Sequence, residues 1–198
     1  MAEEMEYPEG ATPLDADEME GLKFPHVTTR GELDHLEQAN IEAGLLWLSR
    51  RNSSDILHDQ FVRNLHKRLF GEVWRWAGNY RLTEKNIGVA PEQINIQLRN
   101  LLDDARYWVK NNTYNPVESA VRFHHRMVCI HPFPNGNGRH ARIMADALLE
   151  KIHNTQVIDW TGGEDLQRMN KRRKQYIAAL RAADAGDYGP LLFFVGYE

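Results

Sequence analysis

Residues 131–142 read His131-Pro132-Phe133-Pro134-Asn135-Gly136-Asn137-Gly138-Arg139-His140-Ala141-Arg142 and lie between two stretches of helical periodicity. Two prolines and two glycines within seven positions cannot continue either helix. The chain must therefore turn here, and the turn is rich in chemistry. Gly136 and Gly138 permit positive φ and leave backbone N–H groups uncovered, while the helix predicted from Arg139 adds the positive end of its dipole. Together they form an anion cradle. Arg139 and Arg142 stand three apart on the first turn and lean back toward it. Two planar guanidinium forks suit a ligand with several phosphates. His131, at the loop entry, has an ordinary pKa of about 6.5 and can take a proton near neutrality, as attack by a hydroxyl on phosphorus requires. Phe133 reads as the ring that anchors the loop. Asn135 and Asn137 offer amide oxygens to a metal or amide nitrogens to phosphate.

The rest of the chain predicts mostly helix. Residues 1–30 read as extended, since Pro8, Gly10, Pro13, Gly21 and Pro25 leave room only for one turn at Asp15 to Glu20. Behind a cap at Thr29, Leu33, Leu36, Ile41, Leu45 and Leu48 recur at helical spacing; Phe61, Leu65, Leu69, Val73 and Trp76 repeat it and end at Gly78. Tyr80 to Thr83 and Ile87 to Val89 read as a short β-hairpin whose apolar side must rest on helices or on a ligand. Further helices are predicted from Ile94 to about Asn111, from Pro116 to Ile130, from Arg139 to His153 and from about Glu164 to Ala183. The fold class is all-α with one hairpin.

Composition narrows the function classes. No run of about 18 apolar residues is present to span a membrane, and the acidic start is unlike a secretory signal, so a cytoplasmic chain is expected. The single Cys129 excludes an internal disulfide. Arg168, Lys171, Arg172, Arg173 and Lys174 read as a solvated face, and no direct nucleic-acid contact is expected. His124, His125, His131 and His140 do not make a zinc set, because adjacent helical residues point about 100° apart. Residues 1–22 hold eight carboxylates and no Lys or Arg, a charge of −8 against −4 for the whole chain. This is either a solvated tail or a segment that lies across a basic site of its own domain.

His131 to Arg142 resembles the signature of Fic domains, H-P-F-x-(D/E)-G-N-G-R-x-x-R, with Asn135 at the acidic position. The resemblance extends through Leu65 to Gly78, similar to the helix before the target-binding flap, and through Tyr176 to Leu180 and Gly186-Asp187. It implies a Fic-type helical bundle over residues 31–198 behind an acidic segment, 1–30. Glu9 to Asp15 further resembles the subgroup labelled mobile mystery protein B. The implied activity is transfer of AMP from ATP, with magnesium, to a Ser, Thr or Tyr hydroxyl of a target protein, releasing pyrophosphate. His131 would be the base. Asn135, Gly136, Asn137, Gly138, Arg139 and Arg142 would hold the phosphates, with Asn135 a weak magnesium ligand, and Tyr176 would contact adenine. Lys85, Asn86, Ile87 and Gly88 of the hairpin would align the target by strand addition.

Fic enzymes are commonly restrained by a glutamate in the pattern (S/T)-x-x-x-E-(G/N), which pairs with the second motif arginine. Glu20-Gly21 matches its end, with Ala16 at the hydroxyl position. The match is partial and points to inhibition by Glu20 acting on Arg142, with a glutamate supplied by an antitoxin partner, or no such restraint, as the alternatives and a bacterial toxin as the setting. Rival functions are a Fic-fold kinase or phosphocholine transferase, both of which resemble one another in having Ala where Gly136 stands, and a silent nucleotide- or partner-binding module.

Overall fold

The computed structural model describes residues 15–27, 29–52, 56–164, 166 and 170–197. Residues 1–14, with most of the acidic segment, and Arg168 lie outside them. The described elements are α1 (Ala16–Met19), α2 (Arg30–Ser49), α3 (Asp59–Phe70), a 3-10 turn (Pro91–Gln93), α4 (Ile94–Asn111), α5 (Pro116–Ile130), α6 (Asn137–Ala147) continued by a π-helical turn (Leu148–Ile152), α7 (Lys171–Asp184) and α8 (Gly189–Phe194). The all-α expectation holds.

Caps explain most of the boundaries. Thr29 opens α2 in a capping box with Glu32, and Asn115 accepts from the Glu118 N–H behind a proline at the first position of α5. α5 packs on α4, α6, α8 and the π-helical turn, burying Phe123, Met127 and Ile130. α2 lies on α3 at close range: a Cβ at Gly44 would stand 2.8 Å from Leu69 Cδ2. Asn40 of α2 secures the end of α3, donating to the Arg68 carbonyl and accepting from the Glu72 N–H, both at 2.9 Å.

Three expectations are corrected. α3 stops at Phe70 rather than running to Gly78. Beyond it Val73 is buried and Trp76 packs partly buried against the core, which kept the apolar period, but the backbone pairs with the N-terminal segment: Lys23 N–H donates to Val73 at 2.9 Å and Arg75 N–H to Gly21 at 2.8 Å. The helix predicted from Glu164 begins at Lys171. Its basic run is not simply a solvated face, because Arg172 donates to the Phe194 carbonyl at 2.8 Å and buried Arg173 to that of Leu166.

The third correction is the hairpin. Tyr80 to Val89 forms no β ladder; each leg instead bonds to the loop after α5, Arg81 N–H to the Pro132 carbonyl at 2.9 Å and Val89 N–H to that of Ile130 at 3.4 Å. The Arg81 guanidinium fills the space between the legs. It is 2% exposed and donates to the carbonyls of His131 (2.6 Å), Thr83 (2.8 Å) and Val89. A ladder would need the same carbonyls. We therefore expect Arg81→Met, which strands several buried acceptors at about 1–3 kcal/mol each, to lower the melting temperature by roughly 10 °C in a thermal scan.

Candidate active site

α5 ends at His131, which caps the helix in the left-handed region at φ 53°, ψ 59°. A histidine tolerates this conformation better than a branched residue does, yet it still needs support from its surroundings. Arg81 supplies that support through the His131 carbonyl. On the far side of the loop the Asn137 amide forms a two-bond clasp with Phe133, accepting from its N–H at 2.9 Å and donating to its carbonyl at 2.7 Å. The Phe133 ring is fully buried and stacks on His66 with centroids 3.7 Å apart, the anchor that the sequence suggested. His66 is held by its own two bonds, accepting at Nδ1 from Gly78 N–H (3.1 Å) and donating from Nε2 to the Asn135 carbonyl (3.0 Å).

The cradle forms where α6 begins. Gly136 adopts φ +76°, and a Cβ there would come within 2.8 Å of the Phe70 ring. Only glycine satisfies both demands. The first-turn N–H groups of α6 have no intrahelical acceptor and point out of the helix start. At Gly138 a Cβ would meet only Arg142 Nη1, at 3.6 Å, so the space beside the start of α6 is open.

The two motif arginines are positioned differently. Arg142 reaches the Tyr176 hydroxyl at 3.4 Å, which in turn bonds His124 Nε2 at 2.9 Å. The Tyr176 ring is only 5% exposed. The adenine contact expected of it does not match this geometry; it orients Arg142 from below. Arg139 stacks over the Phe70 ring and donates from Nη1 to Glu37 Oε2 at 2.5 Å, while Glu37 Oε1 accepts from Trp74 Nε1 at 2.7 Å. Sequence reading missed Glu37. Its signal was a carboxylate four residues from both Leu33 and Ile41 on the buried stripe of α2, where a charge demands a buried cation.

Glu20 does not meet Arg142. It is exposed, and its carbonyl accepts from Arg75. The carboxylate that reaches a motif arginine is Glu37, which lies on the core helix rather than on the N-terminal segment. Asn135 also departs from expectation, since its Oδ1 accepts from the Gly136 N–H at 2.7 Å. A neutral oxygen already engaged by the backbone is a poor ligand for a hard dication, so these residues do not build a magnesium site. Of the expected flap residues, Gly88 (φ +114°) packs directly on the base: a Cβ there would stand 2.8 Å from His131 Cβ and 2.6 Å from Arg81 Nη2. Ile87 is partly exposed, and Lys85 turns toward α1.

Burial first, then the Arg81 charge, pushes His131 down to about 4, and burial brings His140 to about 4. The imidazole of His131 is thus neutral at physiological pH and able to accept a proton.

His131, neutral at physiological pH, and the glycine-bounded start of α6 with its two arginines thus belong to one loop and helix of the bundle. Residues 56–149 match the Fic/DOC family, and the chain carries a domain of that family. It is 27% identical over 187 residues to the protein adenylyltransferase fic-1 of Caenorhabditis elegans, an alignment covering 88% of this chain and 34% of that protein. The chain spans about a third of the length of the curated relatives it matches. The solved Fic-1 fragment from C. elegans superposes with a TM-score of 0.66 at 25% identity, over 89% of this chain and 51% of that one. BepC from Bartonella tribocorum, solved with bound AMPPNP, shares the fold at a TM-score of 0.67 and 17% identity, over 96% and 93% of the two chains. The subgroup resemblance rests on Glu9 to Asp15, of which only Asp15 is described.

Two outcomes follow. Gly138→Ala should fold with unchanged or slightly raised stability, as Gly→Ala in a helix does, yet weaken ATP binding at least tenfold by calorimetry, because its methyl enters the cradle. The depressed histidines bind fewer protons when folded than when unfolded, so stability is complete above pH 6.5 and falls as pH drops toward 4. At pH 5 His131 and His140 each remove about 2 kcal/mol, a decline that a melting series from pH 7 to 5 will show although Asp146, raised by burial to about 6, takes up a proton over the same range and offsets part of it.

Proposed function

We propose that this chain is a protein adenylyltransferase that moves AMP from ATP to a Ser, Thr or Tyr hydroxyl of a target protein. The observation that carries the reading is the neutral His131 held at the mouth of the Gly136–Gly138 cradle by Arg81. The α6 N–H groups and the free edges of Arg139 and Arg142 receive the phosphates. His131 takes the proton of the target hydroxyl as its oxygen bonds to the α-phosphorus; the bond to the β-phosphate oxygen breaks and pyrophosphate leaves. Bound phosphates also raise the histidine's proton affinity from its depressed value, strengthening the base when ATP is present. Glu37 keeps Arg139 stacked on Phe70 and directs one edge of its fork to the ligand. Magnesium in this reading accompanies the ATP phosphates.

The excursion from Tyr80 to Val89 supplies the target side. Leu82 is 91% exposed there, an apolar side chain that none of the described residues covers. The relatives named as adenylyltransferases and the AMPPNP held by BepC support the same assignment. Gly136 does not separate this reading from kinase or phosphocholine transfer, since its φ and the Phe70 contact already require glycine. No helix among the described residues is long and apolar enough to cross a membrane. A cytoplasmic place and a toxin partnered by an antitoxin belong to this proposal through the resemblance.

The test is transfer of label from ATP, α-labelled in one reaction and γ-labelled in another, to protein in a lysate. Label from the α position alone, reduced at least 10³-fold by His131→Ala, is the expected outcome. Label from γ alone would replace the reading with a kinase, and label from neither would leave a binding module.

A further inference from the structure

Lys85 stands on the exposed excursion, yet its side chain is only 3% exposed, because α1 covers it. Its ammonium donates to Asp15 Oδ2 at 2.9 Å and pairs with Glu18 Oε2 at 2.5 Å, and the Thr83 hydroxyl donates to the same Asp15 oxygen at 3.0 Å. The carboxylates are delivered by a strap. Gly21 and Lys23 pair with the turn after α3, Trp76 Nε1 donates to the Glu18 carbonyl at 2.9 Å, and a Cβ at Gly21 would stand 2.4 Å from Trp76 Cδ1. Asp15 also donates its N–H to Glu18 Oε2 at 2.9 Å, so the two acids form one unit.

Three features separate this contact from a plain anchor. The pairs lie on the excursion whose Gly88 touches His131, so whatever binds Thr83 and Lys85 lies close to the base. The Asp15 side chain is half exposed, so this end of the contact is open to water and to a competing carboxylate, while the Glu18 side chain is 12% exposed. The segment that supplies the acids is the most acidic stretch of the chain, with no cation in its first 22 residues. We propose that Thr83 and Lys85 form a carboxylate-binding site that selects targets with an acidic segment beside the modified hydroxyl, and that Asp15 and Glu18 fill it in cis until such a segment displaces them. The inference rests on the adenylyl-transfer reading for the word target, but the binding site does not. It restrains access of the target, whereas the glutamate pattern expected from sequence would act on ATP.

The test uses the full chain and no nucleotide. A fluorescent synthetic peptide with the sequence of residues 9–22, and a twin with every Asp and Glu replaced by its amide, are titrated with wild type, with Asp15→Asn/Glu18→Gln and with Lys85→Gln, and anisotropy is read at low salt. The expected result is that the double variant binds the acidic peptide at least tenfold more tightly than wild type does and at least tenfold more tightly than it binds the amide twin. Adding Lys85→Gln to the double variant should remove that difference. The exchanges nearly conserve side-chain volume at Glu18 and Lys85, which are largely covered, and circular dichroism of each variant checks the fold. Equal binding of the two peptides, or no gain in the double variant, overturns the proposal. Because ATP is absent, discrimination between the peptides together with no α-label transfer would overturn the enzyme reading alone.

Discussion

The buried guanidinium of Arg81 is the contact on which the rest of the site depends. A charge in this position persists only if its donors are satisfied, and here the acceptors are backbone carbonyls from both legs of the excursion and from the end of α5. One side chain thereby replaces a β ladder, holds His131 in a left-handed cap and depresses its pKa. Burial first and this charge second keep that imidazole unprotonated.

Around that clamp the polar groups are arranged in series rather than as isolated pairs. Trp74, Glu37 and Arg139 run from the core to one side of the cradle, and His124, Tyr176 and Arg142 run to the other. Each motif arginine is thus held by a partner from a different helix, α2 for Arg139 and α7 for Arg142. Asn137 and His66 fix the loop backbone between them. These bonds hold both arginines and the loop in place before a ligand arrives, although His124 Nδ1 is buried without a hydrogen bond among the described residues.

The helices were legible because their signals are local. Thr29, Asn115 and the i, i+4 apolar stripes each act within a turn or two, and the Pro and Gly content of residues 132–138 could not belong to a helix. The loop chemistry was legible for the same reason. What stayed hidden depends on tertiary partners. An alternating segment such as Tyr80 to Val89 looks like a hairpin unless one knows that Arg81 folds back between its legs. Val73 and Trp76 continue a helical period because both pack on the core, although the turn after α3 pairs with the strap and is not helix. Tyr176 could be named as important from its place, but only the packing of α7 against α5 shows that its hydroxyl faces Arg142. Glu37 was visible as an acid on an apolar stripe and needed a distant cation to become meaningful.

The way the excursion is anchored has an evolutionary consequence. Its feet, Arg81 and Val89, are tied to the loop that holds the base, while Leu82 and Lys85 belong to the intervening tip. A peptide fastened at both feet behaves as a cassette: residues 82–87 can diverge, lengthen or exchange charge without moving the base or the phosphate cradle. Selection can therefore rewrite what the tip presents, and rewrite the strap in parallel, on a frame that stays constant.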